Sequence, residues 1–255
     1  MSLNPKLENW RGLRVWLIGA SSGIGEATAK ALMQRGARLA LSSRNRGALT
    51  ALADGRAQVA VADVTDRASL AAAFDEVRAA LGDIDLAIVN AGTHRPVRAW
   101  DLDAEAAEQL VQVNLVGAIN ASALLAPYFA ARGSGRLAIT ASVAGYGGLP
   151  TGLVYGATKA ALINFAETLY LDLAPKGVAV HLINPGFVKT PLTDLNEFSM
   201  PALISSEEAA EEILAGIERG EFEIHFPKRF TRSLKLLKLL PYRWYFPLVH
   251  RITGL

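Results

Sequence analysis

The sequence predicts an α/β fold in which a doubly wound parallel sheet carries helices on both faces, followed by a basic C-terminal extension. Short apolar segments alternate with longer segments of helical periodicity, an order typical of strand–helix–strand units. The apolar segments are hydrophobic at consecutive positions, as strands are when both faces of a sheet are buried. Hydrophobic residues make up 51% and charged residues 20% of the 255 positions, which is enough for one large core.

The strand and helix segments follow one another without a repeat or a linker. Strands are predicted over residues 14–19, 38–43, 58–63, 84–90, 136–140, 178–184 and 221–226. Helices are predicted over residues 24–35, 45–54, 66–81, 104–131, 153–174 and 205–220. The last helix opens with serines followed by acids, which suit a helix N-terminus. We therefore expect one domain over 1–225 and an extension over 226–255.

The composition and the N-terminal sequence exclude several kinds of site and protein. The chain has no cysteine, so disulfides, thiolate metal sites and a cysteine nucleophile are excluded. Its four histidines lack the spacing of metal ligands, so no metal site is expected. Residues 1–16 lack the apolar run of a secretory signal, and polar residues, glycine or proline interrupt the charge-free stretches 110–131 and 137–158. We expect a cytoplasmic protein without a transmembrane helix.

A glycine-rich turn, GASSGIG at 19–25, joins the first predicted strand to the first predicted helix. In such a turn backbone N–H groups face ligand phosphates at the positive end of the helix, and glycine removes side chains that would block them. The turn therefore favours a Rossmann-type nucleotide-binding site over a merely flexible loop. The residues of the turn assigned to the cofactor are Gly19, Ser21, Ser22, Gly23, Ile24 and Gly25.

The end of the second predicted strand indicates which dinucleotide binds. An acid there bonds the ribose 2′-hydroxyl of NAD(H), whereas an Arg accommodates the 2′-phosphate of NADP(H). The sequence at this point is LSSRN, with Arg44 and no acid. Arg44 can form charge-assisted hydrogen bonds to a phosphate, which favours NADP(H) over NAD(H). The alternative is that Arg44 is a solvated surface residue.

Tyr155 and Lys159 lie one helical turn apart in the stretch YGATK, and Ser142 ends a predicted strand. Side chains four residues apart on a helix are neighbours, with Cβ atoms about 5–6 Å apart. A nearby cation favours phenolate and lowers the pKa of a tyrosine from its usual value of about 10. Tyr155 could then exchange a proton with a substrate oxygen, while Ser142 donates a second hydrogen bond to it. Taken alone, however, the pair could equally be an ordinary helical pair.

Five motifs occur in one order: the glycine turn, NAG at 90–92, ITAS at 139–142, YGATK at 155–159 and NPGFVKT at 184–190. Together they closely resemble the short-chain dehydrogenase/reductase family over about residues 12–225. The resemblance implies an oxidoreductase that transfers a hydride between NADP(H) and a small-molecule carbonyl or alcohol substrate, in a homodimer or homotetramer. The alternative from another class is an NADP(H)-binding sensor or scaffold module without turnover.

The resemblance also implies roles for individual residues. The catalytic positions would be Ser142, Tyr155, Lys159 and Asn114, the last of which would hold a water in a proton relay. The open alternatives are a strand-end turn residue for Ser142 and a buried polar residue bonded to backbone for Asn114. Further cofactor contacts would be Asp63 and Val64 beside the adenine, Asn90, Ala91 and Gly92 along the cofactor, and Pro185, Gly186, Val188 and Thr190 around the nicotinamide carboxamide.

The C-terminal extension, residues 226–255, carries seven Lys or Arg and no acid, whereas the rest of the chain holds 19 basic and 24 acidic residues. On a helix that Pro241 would end, Phe230, Leu234 and Leu237 share one face. The opposite face would carry the basic residues Lys228, Arg232 and Lys235. A basic amphipathic helix with aromatic residues suggests peripheral binding to an anionic membrane surface.

Two alternatives to membrane binding follow from the same extension. It could pack on the body of the protein or on a second subunit, with its Lys and Arg solvated. Nucleic acid is not expected as a partner, because no reading motif accompanies the charge and the body is acidic. A hydrophobic, lipid-like substrate would suit the extension.

Overall fold

A parallel sheet of seven strands forms the centre of the computed structural model, which describes residues 2–195 and 200–254. The strands are β1 Arg14–Ile18, β2 Arg38–Ser42, β3 Gln58–Val59, β4 Leu86–Val89, β5 Gly135–Thr140, β6 Val178–Pro185 and β7 Glu223–Phe226. Their order in the sheet is β3-β2-β1-β4-β5-β6-β7. The order reverses between β1 and β4, so a topological switch point lies at the carboxyl ends of these two strands. The predicted doubly wound sheet is confirmed.

Helices cover both faces of the sheet. They are α1 Gly23–Gln34, α2 Arg46–Ala53, α3 Arg67–Leu81, α4 Ala104–Val111, α5 Gly117–Arg132, α6 Leu153–Leu173, α7 Ser206–Glu218, α8 Lys228–Lys238 and α9 Tyr242–Thr253. A capping box begins α7: the Ser205 side chain accepts from the Glu208 backbone N, and the Glu208 carboxylate accepts from the Ser205 backbone N. The Asp66 carboxylate caps the N-terminus of α3 in a similar way.

Successive residues of β1 pack into two different cores. Val15 and Leu17 face the core formed with α1 and α7, whereas Trp16 and Ile18 face the core formed with α3, α5 and α6. All four side chains are at most 1% exposed. Burial on both faces is the reason why the strands are apolar at consecutive positions.

Two predicted elements differ from the structure in their extent more than the others do. β3 pairs with β2 only over Gln58–Val59, although the backbone N of Ala60 and of Ala62 still bonds to the β2 side. The helix predicted over 104–131 is divided into α4 and α5 by a π-helical segment, Gln112–Val116. Such wider turns often lie at functional sites, and this one contains Asn114.

The helical run Ala104–Arg132 is long and apolar enough to cross a membrane by length and composition, and 44% of its most apolar window is buried. Leu125 and Phe129 of this run lie fully buried in the core beneath the sheet. Packing against the sheet accounts for part of its apolar character, as it does in core helices generally. The expectation that no helix spans a membrane stays a prediction.

The C-terminal extension folds into two helices that pack on the sheet domain. The predicted helix before Pro241 is α8, whereas α9 was not predicted, because Pro241 was expected only to end a helix. Pro241 instead precedes the first residue of α9, where its missing N–H costs no helical hydrogen bond. The Tyr245 hydroxyl donates to Gly148 O at 2.8 Å and fixes α9 to the loop after β5.

Glu223 on β7 holds α8 in place. Its carboxylate accepts hydrogen bonds from Lys235, from the Tyr146 hydroxyl at 2.6 Å and from Asn184 Nδ2 at 2.9 Å. Burial raises the pKa of this carboxyl, but the three donors and the charge of Lys235 outweigh burial and lower the pKa overall. Glu223 therefore stays ionised and ties α8 to the strands that end at the cavity.

The basic face of α8 is partly engaged by the body. Lys235 pairs with Glu223, and Lys228 Nζ lies 3.4 Å from Glu221 Oε1, so both ammonium groups have acidic partners. Arg232 is exposed. Of the three basic residues predicted to share a face, two therefore anchor the helix to β7 and the segment before it.

Candidate active site

The carboxyl ends of β1, β4, β5 and β6 open into a cavity of about 1950 Å³. The loops after these strands line it together with the first turns of α6 and parts of α8 and α9. This is the edge at which doubly wound sheets bind ligands. Gly25 and Asn114 lie behind the wall, and every other site residue predicted from the sequence lines the cavity.

The glycine turn packs directly against the segment after β4. Gly19 has a φ of +92°, and a Cβ atom there would come within 2.4 Å of the Ala91 nitrogen. A Cβ atom on Gly25 would lie 2.0 Å from the carbonyl oxygen of Gly19. Both positions therefore require glycine for steric reasons. No side-chain oxygen of Ser22 caps α1, which leaves the first-turn N–H groups to a ligand phosphate.

Asn90 and Thr190 join the glycine turn to the neighbouring loops. Asn90 Nδ2 donates to the carbonyl oxygen of Gly19 at 3.1 Å. On the other side, a Cβ atom on Gly23 would lie 2.9 Å from Thr190 Cγ2, so the loop after β6 touches the start of α1. The three loops form one continuous surface at the switch point, which fits an extended dinucleotide.

Arg44 and Asp63 mark the far end of this surface. Arg44 is exposed, and Asp63 Oδ1 accepts hydrogen bonds from the Thr65 backbone N at 2.9 Å and from Thr65 Oγ1 at 2.8 Å. Burial raises the pKa of Asp63, but these bonds and the charge of Arg44 lower it overall. Ser42 is fully buried and bonds to Trp16 Nε1 and Ala60 O, so it faces the core. Arg44 is thus the charged group that LSSRN presents to the cavity.

Ser142, Tyr155 and Lys159 meet at the opposite end of the cavity. Ser142 lies two residues after the end of β5, and its Oγ accepts from the Ala144 backbone N at 3.2 Å. Tyr155 lies in the first turn of α6, where burial raises the pKa of its phenol and the neighbouring Ser142 hydroxyl partly lowers it. Lys159 lies one turn further along, with Nζ 5.6 Å from the centroid of the Tyr155 ring and 3.0 Å from Thr140 O. The predicted trio is therefore brought together.

Burial dominates the acid–base properties of this group. Lys159 is 4% exposed, and burial lowers its pKa from its ordinary value of 10.5 to about 8. Burial raises the pKa of Tyr155, and the nearby Ser142 hydroxyl only partly opposes this. The sequence predicted a lowered Tyr155 pKa. That prediction is wrong for this structure, because desolvation of the phenolate outweighs the stabilisation it receives.

Asn114 acts on the cavity wall from behind. Its Oδ1 accepts from the Thr93 backbone N at 2.7 Å, and its Nδ2 donates to Thr93 O at 2.9 Å and to Thr158 Oγ1 at 3.3 Å. The fully buried amide therefore ties the π-helical segment to the segment after β4 and to α6. The bonds of Asn114 to the Thr93 backbone match the alternative of a buried polar residue bonded to backbone. Its part in a proton relay stays a prediction.

His94 is a residue that the sequence analysis missed. Its ring lines the cavity and packs edge-on against the Tyr155 ring, with centroids 4.5 Å apart. The histidines were considered only as metal ligands, for which their spacing is unsuitable. The position of His94, two residues after the NAG motif, was the available signal, because it places the side chain at the carboxyl edge of β4.

The family model for short chain dehydrogenases matches residues 14–198, most of the chain. The chain belongs to the short-chain dehydrogenase/reductase family of oxidoreductases. An uncharacterized oxidoreductase of Myxococcus xanthus is 35% identical over 229 residues, which cover 88% of this chain and 90% of the relative.

Two solved structures of short-chain dehydrogenases resemble this dehydrogenase/reductase in fold. One, from Burkholderia phymatum in complex with NAD, is 25% identical with a TM-score of 0.82, over 90% of this chain and 94% of that one. Another, from Sphingobium yanoikuyae in complex with NADPH, is 28% identical with a TM-score of 0.76, over 90% and 97%. Members of the family thus bind NAD or NADPH. The preference of this chain must be inferred from the residues of its own cavity.

We expect Lys159 to make dinucleotide binding depend on pH. An anionic cofactor favours the charged ammonium, whose pKa in the free protein is about 8. Affinity should therefore be highest below pH 8, and the dissociation constant should rise as the pH increases above it. Fluorescence titration of NADPH across this range measures the effect, with Lys159→Met as the control expected to show no such rise. The same pH dependence in both proteins would contradict this assignment.

Proposed function

We propose that the protein is an NADP(H)-dependent reductase or dehydrogenase that interconverts an apolar carbonyl compound and its alcohol. The observation that carries the proposal is the convergence of Ser142, Tyr155 and Lys159 in one cavity with the glycine turn. The cofactor supplies or accepts the hydride, and the protein supplies orientation and proton transfer. A module that only bound the dinucleotide would need the glycine turn but not the two hydroxyl groups beside a buried cation.

In this proposal Tyr155 is the proton donor during reduction. Its raised pKa keeps the phenol protonated near neutral pH until a substrate oxygen acquires negative charge. Ser142 donates a second hydrogen bond to that oxygen and stabilises the developing charge. In the reverse direction Tyr155 must first lose its proton, so alcohol oxidation should be faster at alkaline pH.

Lys159 has two roles in the proposed mechanism. Its Nζ binds the nicotinamide ribose, since the ammonium group carries three N–H donors and Thr140 O takes one. Its positive charge, 5.6 Å from the Tyr155 ring centroid, stabilises the phenolate that remains after proton transfer. Asn114 is proposed to complete a proton relay that begins at Lys159, through a water held beside the Thr93 backbone.

The cofactor preference is proposed from the charge at the adenosine end. Arg44 is exposed at the rim, where it can reach a ribose 2′-phosphate and form charge-assisted hydrogen bonds. Asp63 follows β3 and is held by Thr65, so its carboxylate is directed to local backbone and to the adenine side. These two positions support NADP(H) over NAD(H).

The chain divides its work between two parts in this proposal. Residues 1–225 bind the cofactor and carry the catalytic side chains, and the extension 226–255 closes the substrate side of the cavity.

Assembly into a homodimer or homotetramer is proposed from apolar side chains left at the surface of neighbouring helices. Ile119 on α5 is 40% exposed and Leu171 on α6 is 70% exposed.

Replacing Tyr155 with Phe should separate the enzyme from a non-catalytic binding module. Loss of the proton donor is expected to lower kcat by about a hundred- to ten-thousand-fold, while NADPH affinity stays within a few-fold. The measurement is NADPH oxidation with a panel of ketones, alongside NADPH titration of both proteins. Dinucleotide binding without turnover of any ketone or alcohol by the natural protein would favour the sensor or scaffold alternative.

Replacing Arg44 with Ala should weaken NADPH selectively. A charged hydrogen bond contributes about 1.5–3 kcal/mol, so the KM for NADPH should rise by about ten- to a hundred-fold, with the KM for NADH little changed. Arg46→Ala is the matched control, because Arg46 is also exposed but does not line the cavity. Equal effects on both cofactors would exclude a 2′-phosphate contact.

The outer surface of the extension supports a proposed peripheral association with anionic membranes. Tyr242, Trp244 and Phe246 are 64%, 60% and 53% exposed, and the extension carries seven Lys or Arg and no acid. Aromatic side chains at the level of lipid headgroups together with cations favour an anionic lipid surface. The exposed aromatic residues favour a membrane surface over an acidic protein groove, since the positive charge would suit both.

The double substitution Trp244→Ala and Phe246→Ala should abolish co-sedimentation with vesicles that contain phosphatidylserine. Binding of the natural protein should require the anionic lipid and weaken with salt. Trp100→Ala is the matched control: Trp100 is 77% exposed and lies beside Arg98, as Trp244 lies beside Arg243, but it is outside the extension. Pelleting that is unaffected by the double substitution would refute membrane binding through α9.

A further inference from the structure

The helices of the C-terminal extension form part of the wall of the catalytic cavity. Phe230, Leu234 and Leu237 recur at helical spacing along α8 and face the cavity, and Val249 and Ile252 of α9 continue the same wall. The side chains that α8, α9 and their connection contribute to the wall, within the described part of the extension, are uncharged. The apolar face predicted from the sequence therefore faces the reaction site.

This wall is held in a fixed position by polar contacts on its outer side. Glu223 binds Lys235 of α8, and the Tyr245 hydroxyl of α9 bonds to Gly148 O at 2.8 Å. The Phe230 ring packs against Phe187 of the loop after β6, with ring centroids 5.6 Å apart. The apolar wall is thus continuous with the loop that adjoins Ser142, and both helices are tied to the sheet domain.

The cavity extends beyond the cofactor surface, from the glycine turn and Arg44 to α8 and α9. Its volume of about 1950 Å³ is roughly twice the upper end of the 300–1,000 Å³ range of small-ligand pockets. The polar groups that can react with a carbonyl lie at one end, at Ser142 and Tyr155. The charged residues Arg95 and Arg98 of the cavity belong to neither α8 nor α9; they follow β4 on a segment that pairs with residues 151–152.

We propose that the substrate carries its carbonyl or alcohol group on a long aliphatic chain, and that α8 and α9 bind this chain along Leu234, Leu237 and Val249. The inference rests on the proposed function and deepens it by naming the substrate class. An extended chain has no polar group to satisfy along the wall, so its affinity comes from the removal of methylene groups from water. A polar substrate of similar size would gain nothing from this wall.

The first experiment measures turnover and binding as a function of chain length. Methyl ketones from butanone to methyl decyl ketone are compared in NADPH oxidation, and kcat/KM should rise by about two- to fourfold for each buried methylene. Binding is followed without turnover with two fluorescent naphthyl ketones, Laurdan with a dodecanoyl chain and Prodan with a propanoyl chain. Laurdan should bind at least about tenfold more tightly, since the chromophore is the same.

A pair of substitutions tests whether the wall itself selects the chain. Leu237→Trp fills the cavity side of α8 and should remove the advantage of the long ketones over butanone and of Laurdan over Prodan. Leu239→Trp makes the same change on the outer face, where Leu239 is 78% exposed and does not line the cavity, and should leave both series as they are. Thermal unfolding of the two variants checks that both fold.

The outcomes distinguish the inference from the proposed function. Equal kcat/KM along the ketone series, or equal binding of Laurdan and Prodan, overturns the chain-binding wall even if the protein is an active reductase. Equal effects of Leu237→Trp and Leu239→Trp overturn it as well. The protein could bind Laurdan more tightly than Prodan in a Leu237-dependent way and yet turn over no ketone. That result supports the wall and overturns the proposed reductase.

Discussion

The burial of the Lys159 ammonium group is the constraint to which the rest of the site is adapted. An ammonium removed from water loses much of its solvation, and here the loss brings its pKa down to about 8. The Thr140 carbonyl offsets part of this loss at 3.0 Å, and the face of the Tyr155 ring lies within 5.6 Å. Both partners are fixed by regular structure, one at the end of β5 and the other in the first turn of α6. A ligand that brings hydroxyl and phosphate oxygens into the cavity therefore completes the environment of a cation already in place.

At the same edge of the sheet, backbone segments approach each other so closely that no side chain fits between them. Gly19 touches Ala91, and Gly25 touches Gly19, so the turn after β1 and the segment after β4 become one unit. Side-chain amides reinforce this unit from behind, with Asn90 bonded to the turn and Asn114 bonded to Thr93. A substitution at Gly19 or Gly25 would therefore shift the glycine turn and the segment after β4 together.

The periodicity and the motif order predicted the sheet and most of the cavity because both follow from local rules. Consecutive apolar residues in a strand indicate that both faces of the sheet are buried. The carboxyl ends of parallel strands lie at one edge of the sheet, which brings Ser142 near Tyr155. The sign of the Tyr155 pKa shift could not be predicted in this way. It depends on how much desolvation the surrounding protein imposes, which is a property of packing over distant segments. His94 was missed because the histidines were considered only as metal ligands, and its contact with Tyr155 joins residues 61 positions apart.

The extension shows how one helical pattern can serve two surfaces at once. Hydrophobic spacing in α8 is equally suited to a membrane and to a cavity wall, and the sequence alone does not choose between them. The orientation of α8 is set by Glu221 and Glu223, which lie just outside the extension. They bind Lys228 and Lys235, respectively. They turn the basic side of α8 toward β7, and this orientation directs the apolar face to the cavity. The exposed aromatic residues of α9 then remain outside, so that a lipid surface and a chain-binding cavity would lie on opposite sides of the same pair of helices.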